Sequence, residues 1–257
     1  MTLSVLPEFA IAFALIFARI GTMMMLLPGF GERTTPQRVR LTLAVLVVLV
    51  TLPVVRSGLP TSLTNLPGLV QLLIGELMIG FTFGLAGRFL MSSLSTAGVI
   101  IAQQLGLSFT MIFDPANADQ GQSAILGTFL SLLGVCLILG LNLHHVALFG
   151  VVDSYQTFRP GEVPASGDAA QLVLSVATSA FATAIQISAP FLVFGLVFNV
   201  GLGVLSRMMP QLQVFFLAMP ASILLGTLIL ALVLGLMMEG FLEHIMRVYR
   251  EMFPGGR

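Results

Sequence analysis

Charge is what this sequence lacks most. Asp, Glu, Lys and Arg make up only 9% of 257 residues, against about 25% in an ordinary soluble domain. Lysine and tryptophan are absent altogether, and the eleven cations are all arginine, balanced by eleven acids. A net charge of zero with no basic run excludes a nucleic-acid binder, which needs a cationic face. A lone cysteine, Cys136, excludes an intramolecular disulfide and a cysteine-ligated metal or iron–sulfur site. The basic start of a cleaved signal peptide is missing too, because Glu8 precedes the first arginine, Arg19. What fills the space is hydrocarbon: 57% apolar residues and a mean hydropathy of +1.03. So few charges cannot cover a water-soluble globule of this size. The composition is that of an all-α integral membrane protein.

Six apolar stretches are expected to form long, partly kinked helices: 5–27, 41–55, 66–91, 123–152, 169–206 and 214–239. A span needs roughly 20 residues, so the second is short. The fifth would run about 57 Å at 1.5 Å per residue, far beyond the ~30 Å hydrocarbon core. Pro190 and Pro220 predict kinks in the last two. Orientation signals conflict: Arg33, Arg38 and Arg40 crowd the first loop, while Arg247, Arg250 and Arg257 crowd the tail. With six spans, the positive-inside rule would put these clusters on opposite sides. The turn-rich segment 153–168, with Pro160, Gly161, Pro164 and Gly167, divides the chain into a four-segment part (1–152) and a C-terminal hairpin (169–257).

Chemistry is sparse. No phosphate loop, HExxH motif or nucleophilic triad is present, so no catalytic residue, cofactor or metal is expected. Adjacent His144 and His145 diverge by about 100° on a helix and chelate one ion poorly, and His244 is distant in sequence. Glu76, amid Ile74, Leu77 and Met78, is the candidate buried polar group. An ionisable residue in a span faces the protein interior or a wet cavity. A proton relay would need a chain of such groups, and the sequence shows this single one at span depth. Arg88 lies about 18 Å further along the helix.

Small residues mark contact faces. Gly80, Gly84 and Gly87 form one stripe, and Ser175, Ser179, Ala182 and Gln186 a second. Both suit helix packing within the chain or against another subunit. The run Met23, Met24, Met25 points three ways on a helix and reads as ordinary packing. The segment 106–122, GLSFTMIFDPANADQGQ, is the most unusual. An apolar tip (Phe109, Met111, Ile112, Phe113) meets Asp114-Pro115, which ends a regular element. Irregular backbone at membrane depth survives only buried in protein or lining a cavity. A plug fits this, and so does a surface loop with an interfacial aromatic anchor.

Four patches resemble one family. They are Phe17, Ala18, Arg19 and Ile20 leading to Pro28 and on to Gly31 and Pro36–Arg40; Thr96, Ala97 and Gly98 with the run from Gln103 to Phe109 and Asp114, Pro115; Asn142, Leu143, His144 and His145; and Ala189, Pro190, then Asn199 to Gly203 and Arg207 to Gln211, running to Pro220. Each is weak alone, but their order and spacing resemble the FliR/SctT family of type III secretion export-gate subunits. The resemblance implies a FliP-like N-terminal part fused to a FliQ-like hairpin. It also implies assembly with FliP and FliQ around a pore in the inner membrane at the flagellar basal body, with FlhB and FlhA as neighbours and unfolded flagellar subunits as cargo. An injectisome subunit of the same fold is the alternative. The resemblance further implies that 106–122 carries the pore plug, with Phe109 and Phe113 as the main obstruction beside Met111 and Ile112. No enzymatic activity is implied. A self-contained transporter would require intramembrane charge pairs and matched halves.

Overall fold

The computed structural model describes residues 5–31, 36–59, 66–107, 122–158, 160, 166–209 and 214–252. Seven α-helices are found among them and no strand: α1 (Val5–Leu26), α2 (Gln37–Val55), α3 (Leu66–Gln104), α4 (Gln122–Gly140), α5 (Leu143–Thr157), α6 (Ser166–Met208) and α7 (Val214–Met252). A 3₁₀ turn, Arg56–Gly58, ends α2. Five of the helices are long and apolar enough to cross a membrane, and the α4–α5 pair supplies a sixth if read as one bent span.

Helix α3 continues well past the expected end at residue 91. Its polar run stays helical, and the Ser95 hydroxyl is satisfied within the helix by the Ser92 carbonyl at 2.9 Å. The stretch 123–152 is not one helix but two, bent by 75°. The break is Asn142, at φ 59°; asparagine is among the few residues other than glycine that adopt the left-handed conformation readily. Helices α6 and α7 run on through Pro190 and Pro220. At 43 residues, α6 is about 64 Å long, twice the hydrocarbon thickness.

Packing gathers these helices into two compact units, both of which draw on sequence from either side of 153–168. Unit 1 comprises Met1–Leu90, Leu137–Thr178 and Met246–Arg257. Its core includes Ile16, Ile20, Met23, Met24, Leu27 and Val151. Unit 2 comprises Met91–Cys136 and Ser179–Ile245, with Leu94, Ile101, Leu105, Leu130, Phe191 and Phe241 fully buried. Within unit 2, α3 and α4 cross where glycine faces glycine. A Cβ on Gly98 would strike the backbone of Gly127, and one on Gly127 would come within 2.9 Å of the Ser95 carbonyl oxygen.

Candidate functional site

In unit 1 the residue most costly to bury has a partner. Glu76 is 2% exposed and Arg19 is 0% exposed. Arg19 Nε donates to Glu76 Oε2 at 2.5 Å and Nη2 to Oε1 at 3.1 Å, a bidentate pair between α1 and α3. Nη1 donates to the carbonyls of Ser154 (3.1 Å) and Phe158 (3.0 Å). Ser154 lies in the last turn of α5 and its carbonyl also accepts the backbone N–H of Phe158, the C-cap residue, at 2.9 Å; the Phe158 carbonyl lies just past the helix end. The guanidinium also sits 4.0 Å from the centroid of the Tyr155 ring. One side chain therefore ties three helices together. This corrects the expectation of a single ionisable group at span depth: Arg19 lies in a span as well. The partner is 57 residues away in sequence, so helical spacing around Glu76 could not reveal it.

A cation and an anion alone at the centre of a span each cost about 2.5–3.5 kcal/mol on insertion scales. Paired, with the remaining donors spent on helix-end carbonyls, both become tolerable. The arrangement suits a rigid joint. Among the described residues no group of three His, Cys, Asp or Glu side chains could hold a metal.

The glycine stripe of α3 explains how Arg19 gets so close. A Cβ on Gly80 would meet the Arg19 backbone, with the carbonyl carbon and Cα both at 3.1 Å. On Gly84 it would meet Leu26 Cβ at 2.8 Å, and on Gly87 it would meet Leu27 Cδ2 at 3.0 Å and Pro28 Cδ at 3.1 Å. The stripe is occupied by α1 of the same chain. Ascending residue numbers match on both helices, so α1 and α3 run parallel. Of the methionine run, Met23 and Met24 are buried in this same core.

In unit 2 the last turn of α3 is held from two sides. Ser222 Oγ of α7 donates to the Leu105 carbonyl at 3.0 Å. Gly226 of α7 leaves room for the Leu105 side chain: a Cβ there would lie within 3.1 Å of three of its carbons. Gly195 of α6 makes similar room for Gln104. The chain then leaves the helix through Gly106 at φ 78°, a conformation that favours glycine. Gly226→Leu is expected to dislodge Leu105 and lower the unfolding midpoint of the full chain in detergent. An unchanged midpoint would show that this contact carries no stabilising weight.

A sequence profile of the family described as bacterial export proteins, family 1, matches residues 10–248, nearly the whole chain. The chain belongs to this family. Among curated relatives, this family-1 export protein is similar to the flagellar biosynthetic protein FliR of Caulobacter vibrioides, at 40% identity over 222 residues, 86% of this chain and 88% of that protein. It is similar to FliR of Pectobacterium carotovorum at 30% over 229 residues (89% and 86%). For FliR of Escherichia coli K12 the figures are 28% over 231 residues (88% and 85%). The similarity runs to flagellar proteins, so the chain is a subunit of the flagellar type III export apparatus, and the injectisome alternative is not favoured.

The remaining sequence-selected residues of this export protein fall as follows. Phe109, Met111, Ile112 and Phe113 lie outside the described residues. On α6, Ser175 and Gln186 are exposed and Ser179 is half-buried. The Ser175 hydroxyl is spent on the Leu172 carbonyl at 2.8 Å. His144 stacks edge-on against Phe30, with ring centroids 6.5 Å apart, and lies beside His145. His244 is buried. Cys136 is exposed. Sequence reasoning missed Arg19, the Gly98–Gly127 crossing and Ser222. None of these belongs to a repeating spacing, because each is a contact between helices far apart in the chain.

Proposed function

We propose that this export protein is a non-enzymatic wall and plug subunit of the flagellar export gate in the bacterial inner membrane. It would assemble with FliP- and FliQ-type subunits, beside FlhB and FlhA, around the pore that passes unfolded flagellar proteins. The supporting observation is the built root of segment 106–122: Leu105 is held by Ser222 and nested against Gly226 within unit 2. A segment carrying Phe109, Met111, Ile112 and Phe113 on such a root is a steric and hydrophobic obstruction. Apolar rings exclude water and ions, and a passing chain displaces them without covalent chemistry. The partly exposed α6 stripe (Ser175, Ser179, Gln186) would then pack against neighbouring subunits, while Gly80, Gly84 and Gly87 pack internally on α1.

Replacing Phe109 and Phe113 together with Ala, or deleting residues 108–113, is expected to raise ion leak through the assembled gate by an order of magnitude or more. Conductance in membranes containing the complete gate measures it. An unchanged leak would remove the plug assignment.

A further inference from the structure

Unit 1 carries a feature that export does not explain. An open cavity of 570 Å³ lies along α1, lined by Phe13, Phe17 and Met25, by Leu41 of α2, and by Leu73 and Leu77 of α3. Phe13 and Phe17 stack in parallel along one edge, with ring centroids 6.0 Å apart. The hydroxyl in the lining, on Thr22, is turned inward to the Ala18 carbonyl at 2.6 Å. It offers no proton to an occupant, so the occupant is apolar where it touches.

Shape narrows the choice. From Phe13 to Met25 is about 18 Å along α1, close to the ~15 Å that one leaflet contributes to the hydrocarbon core. A helix of that length and about 10 Å diameter would fill roughly 1,400 Å³, far more than the cavity holds. A single flexible hydrocarbon chain matches both the length and the volume. Charge narrows it again. Leu41, at one end, lies one turn into α2. Arg38 is three residues earlier on the same face, exposed, and without an ion-pair partner among the described residues. Because α3 runs parallel to α1, Leu73 and Phe13 mark the deep end and Arg38 the mouth. The first turn of α2 adds the positive end of its helix dipole, with no side-chain cap on its N-terminus.

We propose that this groove holds one acyl chain of an anionic phospholipid, whose phosphate sits at Arg38. The site gives a cationic residue of the first turn of α2 a role in retaining a particular lipid class at the α1–α2–α3 face.

The test is native mass spectrometry of the full chain, released from micelles doped with equal amounts of palmitoyl-oleoyl phosphatidylglycerol and phosphatidylcholine. Wild type should retain phosphatidylglycerol in preference. Arg38→Gln should reduce that preference about fivefold, the share one cation contributes at an anionic surface. Gly21→Leu should abolish retention of both lipids, because its new side chain enters the groove with an ordinary 3.5 Å contact between its Cβ and the Phe17 ring. Ala14→Phe serves as the second filling variant should Gly21→Leu fail to insert. Glycerol phosphate, which has the headgroup charge without the chains, should neither bind nor compete. Equal retention of the two lipids by wild type, an unchanged preference in Arg38→Gln, retention persisting in both filling variants, or competition by glycerol phosphate would each overturn the proposal.

Discussion

Arg19→Ala should remove most of the folded protein from the membrane, and Glu76→Ala should do nearly as much. Each leaves the other charge buried with nothing to balance it, which costs about 3–5 kcal/mol. For a chain of this size that corresponds to a fall of roughly 10 °C in the unfolding midpoint, measured on the full chain in detergent alongside its abundance in membranes. Glu76→Gln keeps an acceptor for Arg19 and loses only the charge, so its loss should be smaller. Arg19→Lys keeps the charge but cannot make the fork to Glu76 while also reaching the Ser154 and Phe158 carbonyls. It should therefore behave more like alanine than like wild type. The decisive variant is Arg19→Met combined with Glu76→Met. Removing both charges eliminates the burial penalty, so the double variant should be more stable than either single alanine variant. Losses that simply add would show that the two groups do not act as a pair.

The second large effect is expected at the α3–α4 crossing. Gly98→Ala should destabilise unit 2 strongly, because the added methyl meets the Gly127 backbone, with Leu126 behind it. No rotamer change relieves a collision with main chain, so the helices must move apart, and overpacking of this kind costs about 1–3 kcal/mol or more. The control is Gly235→Ala in α7, where nothing lies within 4 Å of the new carbon. There the substitution should be neutral or stabilising by up to about 1 kcal/mol, since glycine is a poor helix residue. Opposite signs at the two positions, read as shifts in the unfolding midpoint, would establish the crossing. The same sign at both would refute it.

Much of the architecture is legible from hydropathy. The stretches 5–27, 169–206 and 214–239 correspond to α1, α6 and α7, because a long apolar run has no alternative to helix in lipid. What stays hidden is anything that depends on two distant residues. The run 123–152 is interrupted by Asn142, His144 and His145, but polar residues alone do not reveal a change of chain direction, so the turn at Asn142 shows only in its backbone angle. The serines at 92, 93 and 95 read as the end of a span, yet α3 continues through them, the Ser95 hydroxyl bonding back to the Ser92 carbonyl within the helix. Glu76 stands out by its cost alone; that its cation is Arg19, on a different helix, follows only from three-dimensional packing. The Gly80–Gly84–Gly87 stripe is readable as a contact face, but sequence cannot say that its occupant is α1.

Biogenesis inherits a timing problem from the three-helix joint. The arginine of α1 emerges from the ribosome 57 residues before its carboxylate and 139 residues before its last carbonyl. At about 5–20 residues per second, the first helix carries an uncompensated cation for several seconds, and its donors are not all satisfied until roughly 7–28 seconds after it is made. During that interval the nascent helix needs a polar host, such as the insertion machinery or the water interface. A chain that stalls before residue 158 is left with donors in its first helix that its own later segments have not yet met.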